Sequence, residues 1–150
     1  MSLATDIADL VTDAINSAPV GTFSMPADAV RRVLPLYELT DFTEADGSAT
    51  AEPKVTVVPR TVEIARNDRG SDMADITVDI GVQRRVSDID AEVASLGDLL
   101  DEIIDYMRGR QLGSAKWTSG RIEAIAADEH LLEHRIFTGV VSLTYRVGLK

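Results

Sequence analysis

The sequence predicts an α+β fold, a mostly antiparallel β-sheet with two α-helices packed on one face. Two segments carry apolar residues at helical spacing, and several others alternate apolar and polar residues with the period of a strand. The predicted elements follow one another in the order α-β-β-β-α-β-β, which is typical of the α+β class. The length of 150 residues is that of one domain, so residues 1–150 are predicted to form a single unit.

The two helices are predicted at Ser2–Ala18 and Ser87–Arg110. Pro19 ends the first helix, and Gly109 and Gly113 end the second. Each segment has one apolar stripe that faces the core. The stripe of the first helix is Ile7, Leu10, Val11, Ala14 and Ile15, and that of the second is Ile89, Val93, Leu96, Leu99, Leu100, Ile103, Ile104 and Met107.

The strongest local pattern is an antiparallel hairpin. Its first strand consists of Val55–Val58 and Thr61–Arg66 and is interrupted by Pro59. The cluster Asn67–Asp72 has the composition of a turn, and Met73–Val86 forms the second strand. The second strand places Ile76, Val78, Ile80 and Val82 on an apolar face, and Thr77, Asp79, Gly81 and Gln83 on a polar face. We expect that polar face, Asp79 included, to be exposed to solvent.

Three further segments are predicted to be strands. Gly21–Leu36 contains Pro26 and Pro35, which lack an N–H for the sheet ladder, and is therefore expected to be an edge strand. A weaker strand, Ser119–Ala127, follows Trp117, which is expected to anchor the core or an interface. The last strand is Arg135–Val147.

The segment Thr40–Pro53 is polar and acidic and is predicted to be a long mobile loop. Loops of this length in compact domains are usually functional or disordered. Four of its acids are candidate contacts with a partner or a neighbouring subunit: Asp41, Glu44, Asp46 and Glu52.

Composition excludes several classes of function. The net charge of −10 and the pI near 4.5 argue against general nucleic-acid binding, because the chain repels phosphate backbones. The absence of cysteine excludes disulfides and zinc–thiolate sites. No apolar run reaches the roughly 18 residues of a membrane span, and no basic, apolar leader opens the chain, so synthesis in the cytoplasm and no membrane contact are expected.

One string matches a metallopeptidase motif. His130, Glu133 and His134 form H-x-x-E-H, in which two histidines bind zinc and the glutamate acts as base. Residues 135–150 contain no Asp, Glu, His or Cys, so the downstream third ligand of such a site is missing. The sequence also contains no nucleophile elbow and no phosphate-binding loop, so we predict no metal, no cofactor, no catalytic residues and no enzymatic activity.

Three arginines are candidate contacts with a partner. Arg84, Arg85 and Arg146 are expected to form a basic stripe across neighbouring strand ends and to meet the acidic loop of another subunit. The alternative is that these charges simply discourage edge-to-edge pairing of strands.

Five segments together resemble the neck proteins of tailed phages, of the tail-terminator type. They are SLATDIADLVTDAIN at residues 2–16, VLP at 33–35, the block Val55–Val86, IIDYMRGRQL at 103–112 and FTGVVSLTYRV at 137–147. The resemblance implies a six-membered ring of this chain on the end of the tail tube, which stops tube growth and meets a head-side connector. DNA would pass through the ring without specific binding, and the protein would be found in the virion and, during assembly, in the host cytoplasm.

The sequence leaves three alternative functions open. A head-completion or stopper protein on the portal side has a similar size and shape. A small-molecule or metal-binding domain would have a site that the sequence does not reveal. A cellular adaptor without a phage role is the weakest alternative.

Overall fold

The computed structural model describes residues 3–19, 21–25, 28–32, 53–66, 72–85, 89–124 and 136–149. Two helices are present in these ranges, α1 at Leu3–Asn16 and α2 at Ile89–Met107. The strands are β1 at Ala29–Arg31, β2 at Lys54–Arg66, β3 at Asp72–Arg85, β4 at Lys116–Ala124 and β5 at Ile136–Leu149. The predicted order of elements is confirmed.

The five strands form one sheet in the order β1-β2-β3-β5-β4. The pairs β2–β3, β3–β5 and β5–β4 are antiparallel, whereas β1 runs parallel to β2. The α+β class is confirmed, with a mixed sheet in which most of the pairing is antiparallel. β4 and β5 begin close to the predicted positions.

The edge strand expected over Gly21–Leu36 is much shorter than predicted. Among the described residues of this segment, strand pairing is found only in β1, and residues 22–25 form bends. The backbone N–H and the hydroxyl of Ser24 both donate to the same carboxylate oxygen of Glu102, at 2.8 and 3.0 Å. These bonds tie the segment to α2, so it does not continue the sheet. Residues 33–36 lie outside the described ranges.

Both helices pack against one face of the sheet. The apolar residues predicted on the inner face of β3, Ile76, Val78, Ile80 and Val82, are all completely buried there. Trp117 packs against this core, as expected. The helices contribute Ile7, Ala8, Val11, Ile15, Leu96, Leu99, Leu100, Ile103 and Met107 to it.

Hydrogen bonds fix α1 against its neighbours. The side-chain amide of Asn16 donates to the carbonyl of Ala29 at 2.9 Å and accepts from its N–H at 2.7 Å. The Tyr106 hydroxyl on α2 donates to the carbonyl of Ala14 at 3.1 Å. The end of α1 is thus joined both to β1 and to α2.

Pro59 does not interrupt β2, contrary to expectation. The strand continues from Lys54 to Arg66, and its register with β3 shifts between Pro59 and Thr61, which leaves Arg60 as an extra residue. A β-bulge accommodates a residue outside the regular ladder, so the missing N–H of a proline is tolerated beside it.

The second face of the sheet is more buried than predicted. Asp79 is only 7% exposed, and four other polar residues on the strands are also buried: Thr56, Gln83, Thr138 and Ser142. The expectation that Asp79 is a solvated surface residue is therefore wrong. Its carboxylate is instead compensated by hydrogen bonds, as buried polar groups generally are.

The turn between α2 and β4 uses two glycines at positive φ. Gly109 has φ of 72° and Gly113 has φ of 59°, conformations that side chains disfavour. The prediction that these glycines end the helix is confirmed, since α2 stops at Met107. Among the described residues, neither helix has the length and apolarity to cross a membrane.

Candidate functional site

The predicted basic stripe does not exist as one surface. Arg84 lies opposite Phe137, and Arg146 lies opposite Asp75, so these two positions are nine residues apart along β3. At about 3.3 Å per residue they are separated by roughly 30 Å. Because the separation is odd, Arg84 lies on the helix side of the sheet and Arg146 on the other side.

The structure leaves the remaining predicted contacts undescribed. The side chain of Arg85 and the acids Asp41, Glu44, Asp46 and Glu52 lie outside the described residues. The loop predicted over Thr40–Pro53 is outside them too, except for Pro53, which is buried.

Arg84 is enclosed by the fold. Its side chain is 14% exposed, lies 3.9 Å from the carboxylate of Glu92 on α2, and donates to the sulfur of Met25 at 3.9 Å. A guanidinium in this position stabilises the packing of α2 on the sheet. It is not placed to receive an acidic loop from another subunit.

Arg146 is half-exposed and already paired. Its Nε and Nη2 donate to the two carboxylate oxygens of Asp75, at 2.8 and 3.1 Å. This two-bond geometry is the strongest form of an arginine–carboxylate pair. The hydrogen bond from Arg146 lowers the pKa of Asp75 below its usual value, an effect that desolvation partly opposes.

The outer segment of β2, residues 61–66, belongs to the hairpin that the sequence predicts. β1 pairs only with residues 55–57, so no described strand lies along the outer edge of this segment. Val62 is 41% exposed and Ile64 is 66% exposed. They lie opposite Ile76 and Ala74, and thus on the same face of the sheet as the helices.

The helix-side face of this segment exposes the apolar pair Val62 and Ile64, whereas Thr61 and Glu63 lie on the other face. Natural sheets normally protect an edge with charges, proline or a covering element, because an apolar edge strand readily pairs with another chain. The bulge at Arg60 turns Val62 and Ile64 to the helix side, where neither helix covers them. The outer segment of β2 is therefore the described surface best suited to association.

A polar network occupies the other face of the sheet. The Ser142 hydroxyl donates to Asp79 at 2.6 Å, and Nη1 of Arg60 donates to the other carboxylate oxygen at 2.9 Å. Beside them, the hydroxyls of Thr77 and Thr144 lie 3.2 Å apart. The bulge that orients Val62 also places Arg60 next to Asp79.

The described residues show no arrangement typical of a metal centre. No group of three or more His, Cys, Asp or Glu side chains lies close enough there to hold an ion. The H-x-x-E-H residues His130, Glu133 and His134 lie outside the described ranges, so the structure does not test that motif.

Comparison of the sequence with models of known protein families, and with curated protein sequences, gave no match.

Proposed function

We propose that this chain is a structural subunit of a phage neck, of the tail-terminator type. Two observations support the proposal. The first is the resemblance to such proteins of five segments distributed along the chain. The outer segment of β2 also exposes Val62 and Ile64 beside a sheet edge along which no described strand lies, as expected of a subunit that associates through its sheet.

In this proposal, six copies form a ring on the end of the tail tube. A closed ring requires heterologous contacts, in which one surface of each subunit meets a different surface of the next. One side of the ring contacts the tail-tube protein and stops its polymerisation, and the other contacts the head-side connector or stopper protein. DNA passes through the ring, where the net charge of −10 disfavours adhesion of phosphates.

The outer segment of β2 carries one half of the contact between subunits. Burial of its exposed apolar side chains contributes about 25 cal/mol per Å² of apolar surface removed from water. Introducing a carboxylate there leaves a charge in the interface, which costs more than the lost contact.

Val62→Asp is expected to abolish ring formation and to leave the fold intact. Leu10 on α1, which the helical pattern places in the core-facing stripe, is in fact exposed to a similar extent as Val62, 38% against 41%, so Leu10→Asp is the matched control. Sedimentation velocity measures the outcome: rings for the wild type and Leu10→Asp, and monomers for Val62→Asp. Rings in both variants would show that the interface between subunits does not include Val62. A wild type that remains monomeric at all concentrations would contradict self-assembly.

The functional test is electron microscopy of assembly products after inactivation of this gene alone. Overlong tails of variable length beside DNA-filled heads are expected of a missing terminator. Tails of normal length beside emptied heads would indicate the head-completion role. Normal virions would show that the chain has no role in the phage neck.

A further inference from the structure

Four charged residues form one row across the sheet, on the face that is turned away from the helices. Glu63 on β2 lies directly opposite Asp75 on β3. Asp75 lies opposite Arg146 on β5, and Arg146 lies opposite Lys116 on β4. From one side of the sheet to the other, the row is therefore acid, acid, base, base. Its two middle members form the two-bond ion pair described above.

The two ends of this row are not compensated within the described part of the chain. Glu63 and Lys116 are both exposed, and no ion pair among the described residues includes either of them. The residue opposite Glu63 is another acid, and the residue opposite Lys116 is another base. Like charges directly opposite each other in a sheet are destabilising. A single copy of the chain thus carries an unmatched acid on β2 and an unmatched base on β4.

These two ends lie at different edges of the described sheet. β4 is its last strand, and on the other side β1 pairs only with residues 55–57 of β2. Residues 61–64 of β2 are exposed on both faces of the strand. Three antiparallel pairs separate β2 from β4, so the two strands run in opposite directions. A second copy in the same orientation would therefore place its β4 antiparallel to the outer segment of β2.

We propose that the outer segment of β2 pairs with β4 of the next copy of the chain, with Glu63 opposite Lys116 of that copy. The acid at the end of one row then meets the base at the start of the next. The same register places Val62 opposite Trp117, which is partly exposed and lies on the helix side of β4. A β-branched residue opposite an aromatic one is a favourable cross-strand pair.

The proposed contact is heterologous, because it joins two different edges of the sheet. Contacts of this kind generate rings when the rotation between copies closes. Pairing of β2 with β2 of another copy would instead bring two Glu63 carboxylates into one contact, which disfavours a two-fold dimer. The inference rests on the self-assembly in the proposed function and names the surface that the outer segment of β2 meets.

The test reverses the charge at each end of the row and follows assembly by sedimentation velocity. Glu63→Lys places two bases at every contact, and Lys116→Glu places two acids there. Each variant alone is expected to weaken the contact by about tenfold or more. Neither is expected to lower Tm, because each removes a like-charge pair within the chain. An equimolar mixture is expected to restore rings, since acid again meets base wherever the two variants alternate.

Asp98→Lys is the matched control for the change of charge. Asp98 on α2 is exposed and belongs to no ion pair among the described residues, so its reversal is expected to leave assembly unchanged. Assembly that persists in both Glu63→Lys and Lys116→Glu, or a mixture that stays dissociated, would overturn the proposed contact.

A disulfide provides a second measure of the register. The chain has no cysteine, so Glu63→Cys with Lys116→Cys introduces the only two thiols. Within one copy these positions are three strand spacings apart, roughly 14 Å. A disulfide requires a Cα separation below about 7 Å, so it can only join two copies. Oxidation is expected to give a ladder of covalent oligomers on a non-reducing gel, and Glu63→Cys alone is expected to give none.

The outcomes separate this contact from the proposed role in the neck. If a charge variant fails to fold, the cysteine variant decides, and the absence of a ladder would overturn the contact. Wild-type rings that do not respond to the charges would refute the contact and leave the neck proposal standing. Rings that follow the charges but do not stop tube growth would support the contact and refute the role as a terminator. A wild type that remains monomeric would refute the contact together with self-assembly.

Discussion

Replacement of Asp79 by alanine tests the polar network on the second face of the sheet. Asp79 is 7% exposed, and its carboxylate accepts from Ser142 at 2.6 Å and is paired with Arg60 at 2.9 Å. A hydrogen bond to a charged group contributes about 1.5–3 kcal/mol. Because the Arg60 side chain is half-exposed, its ion pair adds only about 0.5–1 kcal/mol. Asp79→Ala is therefore expected to lower the free energy of unfolding by about 2–4 kcal/mol.

The assay is urea denaturation followed by circular dichroism, with thermal unfolding as a second measure. At about 2–4 °C per kcal/mol for a chain of this size, Tm is expected to fall by about 4–16 °C. Asp105→Ala is the control, because Asp105 is an exposed partner of Arg108 and its loss is expected to cost less than about 0.5 kcal/mol. An equally small loss for Asp79→Ala would show that Asp79 is solvated and would refute the network.

Three further predictions concern stability. Val78→Asp is expected to lower the free energy of unfolding by about 3–5 kcal/mol and to unfold the chain, because Val78 is completely buried. Val62→Asp is the control and is expected to remain folded. A soluble Val78→Asp variant that unfolds cooperatively would show that the two faces of β3 are assigned the wrong way round. The Tyr145 hydroxyl is buried without a hydrogen-bond partner among the described residues, so Tyr145→Phe is expected to raise stability by about 1 kcal/mol in urea denaturation. Burial also raises the pKa of Tyr145 in the folded state. Because the unfolded chain releases this proton above about pH 10, wild-type stability is expected to be constant below that pH and to fall above it. A Tyr145→Phe variant that loses as much stability at high pH would contradict this. The lowered pKa of Asp75 implies a stabilising contribution that is present above about pH 4 and is lost as the pH falls below it. The urea midpoint of unfolding should therefore depend less on pH in Arg146→Gln than in the wild type between about pH 4 and pH 2. The same dependence on pH in both proteins would refute the role of the pair.

The alternation of apolar residues was sufficient to predict the core face of β3. Ile76, Val78 and Ile80 share one face by the period of two, and all three are completely buried. The same period does not show whether the opposite face is covered. The partners of Asp79 are 19 residues away at Arg60 and 63 residues away at Ser142, so no local pattern reveals its burial.

The bulge in β2 corresponds to a change of phase in the apolar pattern of the sequence. The inward apolar residues before Pro59 have odd numbers, Val55 and Val57, whereas Val62 and Ile64 after it have even numbers. Such a change of phase requires an extra residue in the strand. The direction of β1 relative to β2 has no such signal, because it depends on the path of the connection and not on periodicity.

The prediction of a basic stripe is wrong because periodicity does not give the relative direction of two strands. Arg84 and Arg146 both lie near a predicted strand end, but β3 and β5 are antiparallel and place these positions at opposite ends of the pair. The enclosure of Arg84 by Glu92 depends on where α2 crosses the sheet. Sequence periodicity predicts which face of a helix is buried, and not which strand residue that face meets.

The most direct test of the proposed function is the length of tail tubes grown in vitro from purified tail-tube protein in the presence of this chain. We predict that the chain binds tube ends, that elongation stops at substoichiometric amounts of it, and that Val62→Asp does not stop growth whereas Leu10→Asp does. Tubes of unchanged length, with no ring visible at either end in electron micrographs, would contradict the assignment as a tail terminator.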